Sequence, residues 1–372
     1  MRGIAAIILA AGYSSRMGEF KPLLPLGDKT VLERVIGLFQ EAGVDDVRVV
    51  IGHRAEELLP VVENSHAFPV INEHFRVGMF SSVVAGVKTL GEDIDAFFLL
   101  PVDIPLVRGR TVTELLRESG NRKSAILYPS FQGRRGHPPL IPIRHRDDIL
   151  KWDGDGGLKS CLARFEADAA NVEVTDERIL LDMDTPEDYH RLQSLWRSRD
   201  IPSVGECEAI LDKYAAGERL VGHCRQVERL SRFLAERLNK AGCKLDPDLV
   251  TAAALLHDIA KGRPRHAREG ADILRNMGFP RVAEIIACHM EINLEDGNAI
   301  DEKEIIYLAD KMIQGEQQVS IEDRFKSRLK SIGSDKNVIE AVTDRFENAL
   351  SIRRRVEVVL GRPLGEVMNE LT

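Results

Sequence analysis

Cysteine is scarce and scattered in this chain: five in 372 residues, at Cys161, Cys207, Cys224, Cys243 and Cys288, with no C-x-x-C pair. An odd total at wide spacing argues against a disulfide framework and suits reduced thiols in a cytoplasm. Excess basic charge is missing too. The formal net charge of −8 argues against a general nucleic-acid binder, although a local basic patch could still hold phosphates. No apolar run approaches the ~20 residues needed to span a bilayer, so no membrane association is expected. A single Arg precedes the first apolar run, and a cleaved leader would destroy the motif that follows it. Internal repeats and low-complexity segments are absent. The expectation is a soluble, cytoplasmic protein.

What is present is 44% apolar and 30% charged residues over a length that suits two domains rather than one core. The first half alternates β-rich runs (4–9, 46–51, 68–71, 95–100, 124–128) with helical patterns (30–42, 55–63, 81–90, 110–119). Such alternation implies an α/β fold, a doubly wound and mostly parallel sheet with helices on both faces. From about residue 205 the β signal stops. Helical patterns follow at 206–216, 218–240, 247–260, 266–277, 280–289 and 301–314, and in a tail over 335–361. There Val338, Ile339, Val342, Phe346 and Leu350 share one side. Gly242, Pro247, Gly262, Pro264, Gly278, Pro280 and Gly297 punctuate them. The expected domains are 1–197, a linker over 198–204, and an all-α domain over 205–372.

The tightest constraint on chemistry is L-A-A-G-Y-S-S-R-M-G-E-F-K, residues 9–21. A buried strand breaks here into a loop in which Gly12 and Gly18 bracket Ser14, Ser15 and Arg16, and which ends at Lys21. A loop at the carboxyl end of a strand can aim backbone N–H groups at phosphate oxygens, with Arg16 and Lys21 adding charge. Leu9, Ala10, Ala11 and Gly12 complete the candidate nucleotide-binding segment. The pattern is neither a Walker loop nor G-x-G-x-x-G. The apolar run to Leu100 leads into P-V-D-I-P, which puts Asp103 at a strand end as a candidate Mg²⁺ ligand. Ser81 and Ser82 open a helix, placed to cap it or to hydrogen-bond a ligand. A basic turn at Gly133–Pro138 leads into a strand near Leu140, and D-M-D-T-P-E-D at 182–188 precedes a helix.

Together and in this order, these segments resemble the MobA-like nucleotidyltransferases, especially the molybdenum cofactor cytidylyltransferases, over roughly 1–197. The resemblance implies an NTP held by the glycine loop, magnesium held by Asp103, and closure of the metal site by Asp182 or Asp184. It implies attack of a substrate phosphate on the α-phosphorus with release of pyrophosphate. Ala10-Ala11-Gly12 and P-V-D-I-P-L-V look closer to the cytidylyl than to the guanylyl branch, so CTP and a molybdopterin acceptor are expected, with a molybdoenzyme or its chaperone as a further partner. Ile104 and Leu158-Lys159 depart from the cytidylyl pattern. A sugar or choline phosphate is the alternative acceptor.

The second half has four histidines: His223, His257, His266 and His289. Asp258 follows His257 in L-L-H-D-I-A-K, and Asp310 lies in Y-L-A-D-K. Neutral imidazoles and carboxylates of this kind bind Zn, Mn or Fe. The pattern H…HD…D resembles the HD phosphohydrolases, and the two further histidines resemble their di-metal members. By that resemblance His223, His257, Asp258 and Asp310 would hold one ion, and Asp258 would bridge to a second, completed by His266 and His289. Mn²⁺ or Fe²⁺ is implied, and Asp258 is the implied catalytic carboxylate. Lys261, Arg263 and Arg265 could receive phosphate oxygens or simply face solvent. The alternative to hydrolysis is a nucleotide-sensing module that regulates the transferase.

Overall fold

The computed structural model describes residues 3–214, 217–294, 299–331 and 335–371. The end of the helix expected over 206–216, and Gly297, lie outside the described residues. The chain divides into two compact units, Met1–Ser198 and Arg199–Thr372.

The first unit is built on strands β1 (Gly3–Leu9), β2 (Asp46–Ile51), β3 (Phe68–Ile71), β4 (Ile94–Pro101), β5 (Ile126–Phe131), β6 (Leu140–Pro142) and β7 (Ala169–Glu173). They lie in the order β3-β2-β1-β4-β6-β5-β7, with a two-residue strand, Arg134–Arg135, paired to β5. Neighbours in this order are parallel except β6, which is antiparallel to β4 and β5, and the short strand Arg134–Arg135 is antiparallel to β5 as well. β1 is almost continuously buried, as a strand covered on both faces must be. Its register runs Leu9 opposite Val50 on one side and Pro101 on the other. The chain builds outward from β1 to β3 and then returns to lay β4 against the other side of β1. That reversal opens a crevice at the carboxyl ends of β1 and β4, where open α/β sheets bind ligands. Both strands feed into it the motifs singled out above.

Helices form where apolar spacing and caps coincide. Val31–Glu41 starts in a capping box between Thr30 and Glu33, and buries Val31, Leu32, Val35, Ile36, Leu38 and Phe39. Met79–Lys88 packs close over β1 because Gly86 has no side chain; a Cβ there would lie 2.6 Å from Ile7. This helix begins two residues before the expected start, and Gly78 occupies its N-cap position, so the expectation that Ser81 or Ser82 caps it is corrected.

In the second unit the helices Val204–Tyr214, Glu218–Lys240, Pro247–Leu256, His266–Asn276, Pro280–Ala287 and Glu302–Met312 pack around one core. Val227, Leu230, Leu234 and Leu238 form the buried stripe of Glu218–Lys240. Pro247–Leu256 is buried nearly all round, as its Ala-Ala-Ala-Leu-Leu sequence requires. That helix stops at Leu256 rather than 260, and a turn carries His257 to Ala260. Ile201, inside the stretch expected as a linker, is 5% exposed in this core. Helix Ile321–Ser331 was not expected. Helix Lys336–Leu360 buries Val342, Ala349, Ile352 and Val356, whereas Val338 is exposed. No described helix is long and apolar enough to cross a membrane.

Candidate active sites

At the crevice of the first unit, the backbone of the glycine loop is tied on both flanks. Val102 donates to the Leu9 carbonyl at 3.1 Å, Ala10 donates to Val50 at 2.8 Å, and His53 donates to Ala11 at 3.3 Å. Leu9, Ala10 and Ala11 are buried wall, and the chain emerges at Gly12 and Ser15, which are exposed. Gly12 has nothing within 4 Å of where a Cβ would lie, so its backbone is open to a ligand. Ser14 takes a positive φ of 56°, and its Oγ accepts from the Lys21 N–H at 3.1 Å, which closes the loop. Met17 and Phe20 anchor it in the core.

This closure delivers Lys21, only 8% exposed, into the crevice. Its Nζ lies 2.9 Å from Asp184 Oδ1 and 3.7 Å from Asp103 Oδ2. Arg16 Nη1 reaches Asp184 Oδ2 at 2.8 Å, with its side chain 72% exposed. Burial pushes the Asp103 carboxyl above its usual range; Lys21 pulls it back, and the Asp184 and Asp182 carboxylates add to the rise. Adjacent hard oxygen donors with incompletely balanced charge suit a divalent cation such as Mg²⁺. Asp184 is held by the cap of the next helix. Thr185 and Asp188 form a capping box with Pro186 at the first turn, and the Asp184 N–H donates to Asp188 at 3.1 Å. The bland reading of D-T-P-E-D as a helix cap is therefore also what aims Asp184. Asp182 is exposed, and between the two aspartates Met183 donates to the Asp103 carbonyl at 2.8 Å.

Ser81 and Ser82 are engaged elsewhere. Both hydroxyls accept from Asn72 Nδ2 at 2.9 Å, and Ser82 is buried. Asn72, 3% exposed at the end of β3, was not anticipated; a polar residue directly after a strand was the available signal. In the basic turn Arg135 pairs with Glu166 at 2.6 Å and stacks over Tyr128.

The second unit gathers all six residues expected of it. His223 comes from helix Glu218–Lys240, His257 caps Pro247–Leu256, His266 opens His266–Asn276, His289 follows Pro280–Ala287, and Asp310 sits near the end of Glu302–Met312. Asp258 lies between two clusters. Its Oδ2 is 3.5 Å from His257 Nε2 and 3.7 Å from His223 Nε2; its Oδ1 is 3.4 Å from both His266 and His289 Nε2. Asp310 Oδ1 closes the first cluster, 3.2 Å from His223 Nε2 and 3.7 Å from His257 Nε2.

Nδ1 of His223, His257 and His289 lies 2.9, 2.8 and 2.6 Å from the carbonyls of Gly315, Ala254 and Ile286. A carbonyl can only accept, so Nδ1 carries a proton and Nε2 faces inward, where the neutral ring presents its lone pair as a metal-ligating histidine does. The Nε2 atoms of His223 and His257 are buried with no hydrogen-bond partner. Two orphaned imidazole nitrogens beside two carboxylates fit one transition-metal ion. Burial disfavours charge on His257, yet Asp310 and Cys224 draw a proton onto it, and its pKa is raised well above the usual value. Burial opposes ionisation of Asp258 and Asp310, but His266 and His289 hold the first, and Lys311 and His223 the second, well below the usual carboxylate range.

Two cations here escaped sequence reasoning. Lys311 is buried, with Nζ 2.7 Å from Asp310 Oδ2 and 2.9 Å from the His289 carbonyl. Arg324, from the unexpected helix, donates to the carbonyls of Asp310 and Ile313. Lys261, by contrast, pairs directly with Asp258 at 2.5 Å.

Comparison with known proteins finds one domain match in each unit. Residues 6–170 match the MobA-like NTP transferase domain and residues 220–313 the HD domain. The molybdenum cofactor cytidylyltransferase of Escherichia coli is 28% identical over 190 residues, 51% of this chain and 95% of its own. A relative in Bacillus mycoides, named as a probable molybdenum cofactor guanylyltransferase, is 32% identical over 153 residues, 39% of this chain and 70% of its own. This chain belongs to the MobA-like NTP transferase family. Among solved structures, a nucleotidyl transferase from a Methanothermobacter species aligns with 54% of this chain and all of its own at 25% identity, with a TM-score of 0.48. As a MobA-like NTP transferase the chain is a nucleotidyltransferase joined to an HD domain, a metal-dependent phosphohydrolase type.

Proposed function

We propose that the first domain, taken as 1–197, transfers the cytidylyl group of CTP to a phosphorylated small molecule, with molybdopterin as the favoured acceptor. The convergence of Arg16, Lys21, Asp103 and Asp184 at the β1–β4 crevice carries this reading. An acceptor phosphate oxygen forms a bond to the α-phosphorus, the α–β bridging bond breaks, and pyrophosphate leaves. Lys21 and Arg16 exchange Asp184 for phosphate oxygens and neutralise the charge that grows on the leaving group. Asp103 and Asp184 would hold Mg²⁺, which supplies further neutralisation. Gly12, Ser14 and Ser15 would line the phosphates; the buried Ser82 and the bonded Ser81 support the base side only through Asn72. Ala11 beside the base, where the guanylyl branch usually has Gly, leaves less room for a purine and favours CTP. Transfer to a molybdoenzyme or its chaperone would follow, in the cytoplasm.

We also propose that 205–372 is an active phosphohydrolase, because all six ligand candidates converge and backbone carbonyls turn the Nε2 atoms of His223, His257 and His289 inward. His223, His257, Asp258 and Asp310 would hold one Mn²⁺ or Fe²⁺, and Asp258, His266 and His289 a second. Such ions supply water activation and charge neutralisation. The protein's own contribution is tautomer control by the carbonyls and orientation of Asp310 by Lys311 and Arg324. A nucleotide-sensing module is the second reading, favoured by the same ligands if binding occurs without turnover. Pyrophosphate release from CTP and GTP with candidate acceptors tests the transferase; faster release from GTP would overturn the choice of base. Phosphate release from a nucleotide panel tests the hydrolase.

A further inference from the structure

A cleft of about 800 Å³ opens onto the histidine site. Its size lies in the range that takes a whole small ligand, ~300–1,000 Å³, rather than a lone phosphate. Four arginines line it: Arg219, Arg324, Arg328 and Arg345. Arg324 is bound to the Asp310 carbonyl, as Lys311 is to the carboxylate, so these two balance the metal-ligand charge. Arg345 lies 3.3 Å from Glu291. Arg219 and Arg328 are exposed and, among the described residues, have no ion-pair partner. They enter from different elements, Arg219 from the start of Glu218–Lys240 and Arg328 from Ile321–Ser331. The second of these helices lies beyond the HD match, which ends at 313.

We propose that this site takes a substrate with at least two linked phosphates, and that Arg219 and Arg328 hold the phosphate beyond the one attacked. The inference rests on the phosphohydrolase reading above. Guanidinium groups suit phosphate because their planar donors pair with two oxygens at once. In the reaction a water oxygen bonds to one phosphorus and the P–O–P bridge breaks. The departing phosphate takes the electron pair, and the water's protons pass to the two phosphate products. Arg219 and Arg328 neutralise the departing phosphate. Two sources share this chemistry: free pyrophosphate, which the proposed transferase reaction releases, and a nucleoside diphosphate.

Calorimetric titration of full-length, Mn²⁺-loaded protein tests the proposal, in a Lys21→Ala background that removes the first site's phosphate contact. Pyrophosphate or ADP should bind at least ~10-fold more tightly than orthophosphate. Arg219→Gln and Arg328→Gln should each weaken that binding about 10-fold while changing orthophosphate affinity less than ~3-fold. Of pyrophosphate and ADP, the one hydrolysed faster names the source. Equal affinity for orthophosphate, or no effect of either substitution, with p-nitrophenyl phosphate still hydrolysed, would overturn the proposal and leave the phosphohydrolase reading standing. Protein that takes up no Mn²⁺ and hydrolyses none of these compounds would overturn both. Both arginines are exposed, so unchanged melting curves are expected to accompany the result.

Discussion

Asp258→Ala tests the two-ion arrangement most directly. Each carboxylate oxygen of Asp258 faces a different pair of imidazoles: Oδ2 faces His223 and His257 at 3.7 and 3.5 Å, and Oδ1 faces His266 and His289 at 3.4 Å. Among the described residues, removing the side chain takes the only carboxylate from the second cluster and one of two from the first, where Asp310 remains. Loss of an outer-sphere partner already costs 10–100-fold in metal affinity. Loss of a charged ligand should cost at least ~100-fold at each cluster, about 2.7 kcal/mol per ion. The second cluster, left with two histidines, should not retain an ion through desalting. His289→Ala should lose mainly that second ion, because the first cluster keeps His223, His257, Asp258 and Asp310. The assay is elemental analysis of full-length proteins after Mn²⁺ loading and gel filtration, with calorimetric titration for affinity. Two tightly held ions in Asp258→Ala, or equal losses from His289→Ala at both clusters, would refute the bridging arrangement.

Asp103→Ala should lower pyrophosphate release at least ~100-fold while leaving the melting temperature close to that of the parent, because the side chain faces the crevice; near-parental turnover would remove it from the mechanism. Metal-free protein should respond to pH through His257, whose folded pKa is raised. The stability it contributes is complete below the unfolded value near ~6.5 and is lost as pH rises through the folded value. The same proton competes with metal, so Mn²⁺ affinity should fall as pH is lowered from 8 to 6, which titrations at several pH values would reveal. A fragment beginning at 205 lacks Ile201, which is 5% exposed in the second core. It should be less stable than one beginning at 199 by roughly 2–4 kcal/mol in urea unfolding; equal midpoints would show that this side chain adds nothing.

Much of this architecture was legible before any coordinates. β1, β2, β3 and β4 announce themselves as short apolar runs between turn residues, and the helices of the second half by apolar periodicity. Local composition determines these elements because a strand buried on both faces must be apolar throughout, and a packed helix must be apolar on one face. The four histidines and two aspartates were likewise readable, because metal chemistry requires those residue types. The less legible elements carry weak local signals. β7 is only partly buried, and Ile321–Ser331 is highly charged with only Ile321 and Phe325 buried. What tertiary structure alone decided is partnership. Strand order places Asp103 beside Lys21, a helix cap brings Asp184 to the same amine, and a helix beyond the recognised domain supplies Arg324 and Arg328 to the second site. Asn72 and Lys311 gain their roles from neighbours distant in sequence, Ser82 ten residues away and His289 twenty-two. Residue type dictates which chemistry a side chain can perform, but which charges meet depends on distances that only the folded chain sets.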